Sequence, residues 1–215
     1  MSKPFTEADL SDQFAQELNW RLKEISDLKS AIRGADAPLK RVLLRALVTI
    51  CYAHWEGYVR FSARKFFEHI SLRKFTYDQL DRQFLKNYFL PRLAALSTSK
   101  ASLADRCKLV DEVLESGERR FSKANDDLVN TKSNLNSDVL ADICLICGIG
   151  ADRFSDRSTF IDVVLLKRRN SIAHGEDTFV SVDDLDSLAD ETIGLMRSFR
   201  DALENQVYLS AYRAA

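Results

Sequence analysis

Turn-forming residues are scarce in this chain. Seven glycines and three prolines in 215 residues are too few for the closely spaced turns of a β-sandwich or barrel, and the shortage points to helices. Long apolar runs are missing as well: no stretch approaches the roughly 18 uncharged apolar residues of a membrane-spanning helix, and the N-terminal Met-Ser-Lys-Pro-Phe-Thr-Glu lacks the apolar run of a signal peptide. The expectation is a cytoplasmic protein with no membrane partner. Net charge is almost absent, at −1, so the molecule as a whole does not attract polyanions. Cysteine is limited to four residues, in keeping with a reducing compartment. Cys144 and Cys147 make a single C-x-x-C within an apolar helical run, with no second Cys or His pair at zinc spacing. They read as core packing, and no metal or other cofactor is expected.

What is present is the composition of an ordinary globular protein, 46% hydrophobic and 29% charged. Two separate cores would each be small at this length, so residues 1–215 are expected to form one domain. Charge is unevenly placed. Between 58 and 92, Arg60, Arg64, Lys65, Arg73, Lys74, Arg82, Lys86 and Arg92 face only Glu68, Asp78 and Asp81; between 176 and 204, nine carboxylates face Arg197 and Arg200. A bipolar surface is one reading, and ordinary solvated helix faces are the other.

The spacing predicts an amphipathic helix over 6–33, with Thr6 and Asp9 as a capping box, Phe14, Leu18, Trp20, Leu22, Ile25, Leu28 and Ile32 inward, and Gly34 as its stop. Asp36 and Pro38 start a central helix over 36–74. Thr76 and Gln79 cap a further stretch that Pro91 interrupts, and residues 101–116 form a short helix ended by Gly117. Residues 122–137 are polar and read as a long loop; 137–147 are helical up to Gly148. A helix over 155–174, with Phe160, Val163, Val164, Leu166 and Ile172 inward, precedes a last one over 181–212 capped by Ser181 and Asp184. The fold expected is all-α: a bundle of four or more long helices with a helical and loop insertion in mid-chain.

The run Arg169-Asn170-Ser171-Ile172-Ala173-His174-Gly175 closes the helix before the last. Histidine, with an ordinary pKa of about 6.5, can give or take a proton near neutrality. Arginine stays charged and grips phosphate oxygens through a planar pair of donors. Together they supply what RNA cleavage by the substrate's own 2′-hydroxyl requires: a base, an acid and a cation for the charge growing on phosphorus. The competing reading is plain capping, because basic residues and histidine before a glycine are what helix ends prefer. At about 100° per residue, Asn170 and His174 share a face, whereas Arg169 and His174 stand about 140° apart. Either the helix distorts before Gly175, or the arginine of one subunit works beside the histidine of another.

This run resembles the R-N-x-x-x-H signature of the HEPN superfamily. The segments "YAHWEGYVRFSARKFF" at 52–67 and "SNLNSDVLADICLICGIG" at 133–150 are similar to the stand-alone bacterial branch grouped with RiboL-PSP-type HEPN proteins, and the likeness spans 36–205, with the helix over 6–33 ahead of it. It implies a metal-independent endoribonuclease acting as a helical homodimer with a composite cleft, in toxin–antitoxin, anti-phage defence or stress roles, with an antitoxin or defence-system partner. By that likeness Arg169 and His174 are catalytic and Asn170 is a positioning residue. Some relatives are inert binding or dimerisation modules, which is the alternative. From the central helix, Glu56 and His54 are candidates to support His174. Arg60, Arg64, Lys65 and Arg168 are candidates to contact single-stranded RNA through its phosphates.

Overall fold

The computed structural model describes residues 3–98, 101–122, 128–132 and 134–214. The expected loop over 122–137 therefore lies partly outside the described residues. Its described parts are turns and irregular backbone.

Seven α-helices run through the described residues: α1 (Glu7–Gly34), α2 (Ala37–Leu72), α3 (Arg82–Thr98), α4 (Leu103–Leu114), α5 (Ser137–Cys147), α6 (Arg168–Ala173) and α7 (Asp184–Tyr208). Among the described residues there is no strand, only isolated bridges joining Thr76 to Arg120 and Leu80 to Arg213. Local chemistry sets most starts. Thr6 and Asp9 exchange side-chain and backbone bonds ahead of α1, and the Asp36 carboxylate accepts from the Leu39 N–H with Pro38 in the first turn of α2.

The core is the seam of α1, α2 and α7. α1 contributes Leu10, Phe14, Leu18, Ile25 and Ile32, spaced by fours and sevens so that one stripe meets its neighbours. Trp55 of α2 packs edge-on against Phe199 of α7 with ring centroids 6.4 Å apart, and both are fully buried. Truncating Phe199 to alanine is expected to cost about 3–5 kcal/mol through the cavity it leaves. Cys144 and Cys147 sit in this core, where burial pushes both thiols up, Cys144 to about 12.

Four expectations need correction. Pro91 lies inside α3 rather than interrupting it. The lost N–H leaves the Asn87 carbonyl without its helical donor, and buried Phe84 and Phe89 hold the helix through the defect. Trp20 is not inward but 47% exposed, lying across Arg21. The last helix starts from Asp183 and ends at Tyr208; Ser210 then turns with φ 51°, and the tail folds back so that Asp81 N–H donates to the Tyr212 carbonyl. Finally, no regular helix runs over 155–174. A 3₁₀ stretch, Ala151–Arg157, is followed by a π-helical segment, Phe160–Lys167, that leads into α6. Tight winding followed by wide winding resets which residues face inward: Phe154, Ile161 and Leu165 are buried, while Val163 is turned outward.

The acidic excess near the C-terminus is largely paired within the molecule. Lys29 and Arg33 of α1 meet Asp186 at 2.8 and 2.6 Å, Lys29 meets Asp190 at 3.1 Å, and Arg41 binds Asp177.

Candidate active site

α6 is six residues long and departs from the π segment with three consecutive side chains spread to three neighbours, as a rotation of about 100° per residue requires. The Arg168 guanidinium donates to Asp184 at the start of α7, 2.9 Å away. Arg169 points to α2, where its Cζ lies 4.0 Å from the centroid of the Tyr52 ring. Asn170 donates from Nδ2 to Asn134 Oδ1 at 3.3 Å.

Tyr52 is the base on which this end is built. It is buried, its ring carries the arginine, and its hydroxyl accepts the Leu135 N–H at 2.6 Å. Burial pushes the phenol above its ordinary value; the Glu56 carboxylate pushes the same way, and the Leu135 N–H and Arg169 oppose it. Glu56, one helical turn along α2 from Tyr52, accepts a hydrogen bond from the Thr131 hydroxyl. Residues 128–132 and 134–136 thus form a wall fixed at Glu56, Tyr52 and Asn170. The wall is secured from behind by the π segment, whose Asp162 accepts from both the Ser137 N–H and its hydroxyl, at 2.7 and 2.6 Å. π-helical turns often mark functional sites, because each takes in an extra residue and re-aims the side chains beyond it.

α6 ends in a Schellman stop. Gly175, with φ 81°, donates to the Ile172 carbonyl, and Glu176 donates to that of Ser171. His174 N–H still donates to the Asn170 carbonyl at 2.9 Å, an ordinary helical bond, so the turn is undistorted before Gly175. The cap is made entirely by backbone groups and leaves the imidazole of His174 exposed to solvent. Capping and site readings therefore describe different atoms of the same six residues.

The other sequence-predicted residues divide. Glu56 joins the Tyr52–Arg169 cluster. His54 does not: it is buried against α1, with Nδ1 3.1 Å from Arg21, Nε2 3.0 Å from a Glu24 carboxylate oxygen, and its ring edge-on to Trp20. Burial, and then the Arg21 charge, hold the imidazole below its ordinary pKa. Arg60 and Arg64 are exposed further along α2, and Lys65 is bound to Glu68 at 2.7 Å. Sequence reasoning missed Tyr52, Thr131, Asn134 and Asp162, whose partners are far away in the chain. It also missed Arg21, for which a signal existed: an arginine standing in the apolar stripe between Leu18 and Ile25.

Among the described residues no helix is long and apolar enough to cross a membrane. Searches of curated proteins and of solved structures return no match. A family model described as RiboL-PSP-HEPN matches residues 16–205, beginning within α1 rather than at the start of α2, in agreement with the packing of those two helices. The chain therefore belongs to the RiboL-PSP-HEPN family of the HEPN superfamily, whose members are generally ribonucleases, commonly bind RNA and act as dimers.

Proposed function

We propose that this protein is an endoribonuclease, one HEPN domain over its whole length, that cuts single-stranded RNA without a metal ion. The observation carrying the reading is the division of the motif: the arginine and asparagine are held against Tyr52 and Asn134, while the histidine is left at the rim, reachable by a polynucleotide. His174 serves as the proton-transferring group. Arg169 neutralises charge that grows on the phosphate oxygens as the 2′-hydroxyl attacks, and Asn170 holds the wall of the site. The attack forms the new O–P bond, expels the 5′-oxygen with a proton, and leaves a 2′,3′-cyclic phosphate.

An undistorted last turn keeps Arg169 and His174 of one chain about 140° apart, which favours a cleft shared by two copies, Arg169 of one beside His174 of the other. Apolar Phe179, Val182 and Val42 are exposed on elements adjoining the motif; Val42 lies beside Arg41, whose partner is Asp177. They suit the contact of such a pair. A role in bacterial defence, in a toxin–antitoxin pair or in stress response, with its own protein partner, is in keeping with the family.

The experiment is cleavage of labelled single-stranded RNA in EDTA by the wild type, His174→Ala and Arg169→Ala. Expected are cyclic-phosphate ends from the wild type and near-complete loss in each variant. Dependence on added metal, or full cutting by both variants, would defeat the scheme. Mixing the two variants tests the shared cleft: half the dimers then carry one intact site, and about a quarter of wild-type activity returns. A non-catalytic RNA-binding module is the reading favoured by the half-buried setting of Arg169 on Tyr52; it requires RNA binding with no cleavage by any form.

A further inference from the structure

On the side of α2 that packs against α1, a groove of about 320 Å³ runs between the two helices. Its charges do not balance. Arg21, Arg60, Arg64 and Lys65 line it together with Glu17 and Glu68, and both carboxylates are already engaged, Glu17 with Arg21 and Glu68 with Lys65. Arg60 and Arg64 are exposed and form no ion pair among the described residues. Two guanidinium groups therefore line the groove without an ion-pair partner among the described residues.

The inner wall is built rather than incidental. Arg21 is more than nine-tenths buried, held by Glu17, by His54 and by the Trp20 ring 4.4 Å from its Cζ. It reaches across to α2 because residue 57 is glycine: a Cβ there would come within 3.1–3.2 Å of the guanidinium nitrogens. A charged group is thus fixed in a position that an alanine on α2 would crowd.

α2 links the groove to the motif. Gly57 is next to Glu56, and Arg60 stands one turn beyond Glu56, about 6 Å along the axis and about 40° round it, with Arg64 a further turn on. From Tyr52, which carries Arg169, Arg60 lies about 12 Å along α2 and about 80° round it, and Arg64 about 18 Å along and about 120° round, so a strand leaving the motif reaches both by wrapping partway round α2. We infer that this groove is a second phosphate subsite for single-stranded RNA, in which Arg60 and Arg64 grip backbone phosphates of a strand that wraps round α2 from the motif, against the rigid inner wall made by Arg21 and its partner Glu17. Arginine is suited to this use, since its fork binds phosphate oxygens two at a time. Lys65 and Arg168 serve instead in the ion pairs with Glu68 and Asp184. The inference rests on the ribonuclease reading for its substrate but is measured by binding alone.

The test titrates the His174→Ala chain with labelled single-stranded RNA of about ten nucleotides, long enough to span Tyr52 to Arg64, over a range of KCl concentrations. Each phosphate contact on a single strand contributes about 0.7 to the slope of log affinity against log salt. Adding R60Q and R64Q is expected to lower the slope by about 1.4, so that the affinity lost between about 50 and about 200 mM KCl shrinks by roughly sevenfold. R60K with R64K is expected to keep the slope, showing that charge and not packing is responsible. An unchanged slope in R60Q/R64Q overturns the inference even if the wild type cleaves RNA. A wild type that binds with this slope yet never cleaves overturns the ribonuclease reading and leaves the subsite standing. Saturable binding of inorganic pyrophosphate that displaces the RNA, with affinity the same for three-nucleotide and longer strands, would assign the groove to a free anion and overturn it as well.

Discussion

Two faces of α2 carry nearly the same set of side chains. On one, Arg21 lies 4.4 Å over Trp20, with His54, Glu17 and Glu24 about it. On the other, Arg169 lies 4.0 Å over Tyr52, with Glu56 beside the ring and His174 five residues on. The partners differ in what holds them. The first set belongs to two long helices packed along their length, so its histidine is sealed at 4% exposure. The second is assembled from α2, a six-residue helix and an irregular wall, and its histidine stays in solvent. Residue chemistry alone thus does not set a histidine's surroundings; the element that carries it, and where that element stops, decides which imidazole is sealed in the core and which is open to solvent.

The comparison is broken most severely at the motif. His174→Ala and Arg169→Ala are each expected to lower the cleavage rate by about 10²–10⁴, measured as initial rates on labelled RNA. Stability should hardly change for His174→Ala. Near-normal rates would erase the distinction between the two clusters.

Next in size is the loss of Arg21. Removing it leaves the Glu17 carboxylate in a nearly closed setting without its cation, and Arg21→Ala is expected to cost about 3 kcal/mol, read from urea unfolding. A cost near zero would mean that the α1–α2 cluster is as open as the motif.

Tyr52→Phe sharpens the other side. It keeps a ring beneath Arg169 but leaves the buried Leu135 N–H without its acceptor, an expected loss of about 1–2 kcal/mol. Tyr52→Leu adds the loss of the cation–π contact, about 1 kcal/mol more. Equal stability of the two variants would show that the arginine does not lean on the ring.

The smallest effect is in pH. Burial holds His54 and His69 below their ordinary value, so on acidification the unfolded chain takes up protons before the folded one. This contribution to stability is fully present above about pH 6.5 and falls as the pH drops from there toward the folded values. Melting temperature measured from pH 7.5 downward is expected to fall less steeply in His54→Gln than in the wild type.

Features written within a few residues of each other are legible in the sequence: the capping box at Thr6 and Asp9, the Asp36 start of α2, the Gly148 and Gly175 stops, and the six-residue motif itself. Each depends on bonds between near neighbours in the chain. Pro91 misleads because a local rule is outweighed by the packing of Phe84 and Phe89. The winding of residues 151–167 leaves no local signal because it answers to Asp162 reaching Ser137, twenty-five positions earlier.

The sequence by itself determined that this is a helical protein, since helix periodicity and caps act over a turn or less, and its R-N-x-x-x-H run with the segments at 52–67 and 133–150 carried the resemblance to the HEPN superfamily. Tertiary structure alone decided that Tyr52 underlies Arg169, that His54 turns to α1 while Glu56 joins the motif, and that His174 faces water. Those outcomes depend on how three long helices share one core, which sets the angle of every side chain around α2, and no spacing along a single chain contains that angle.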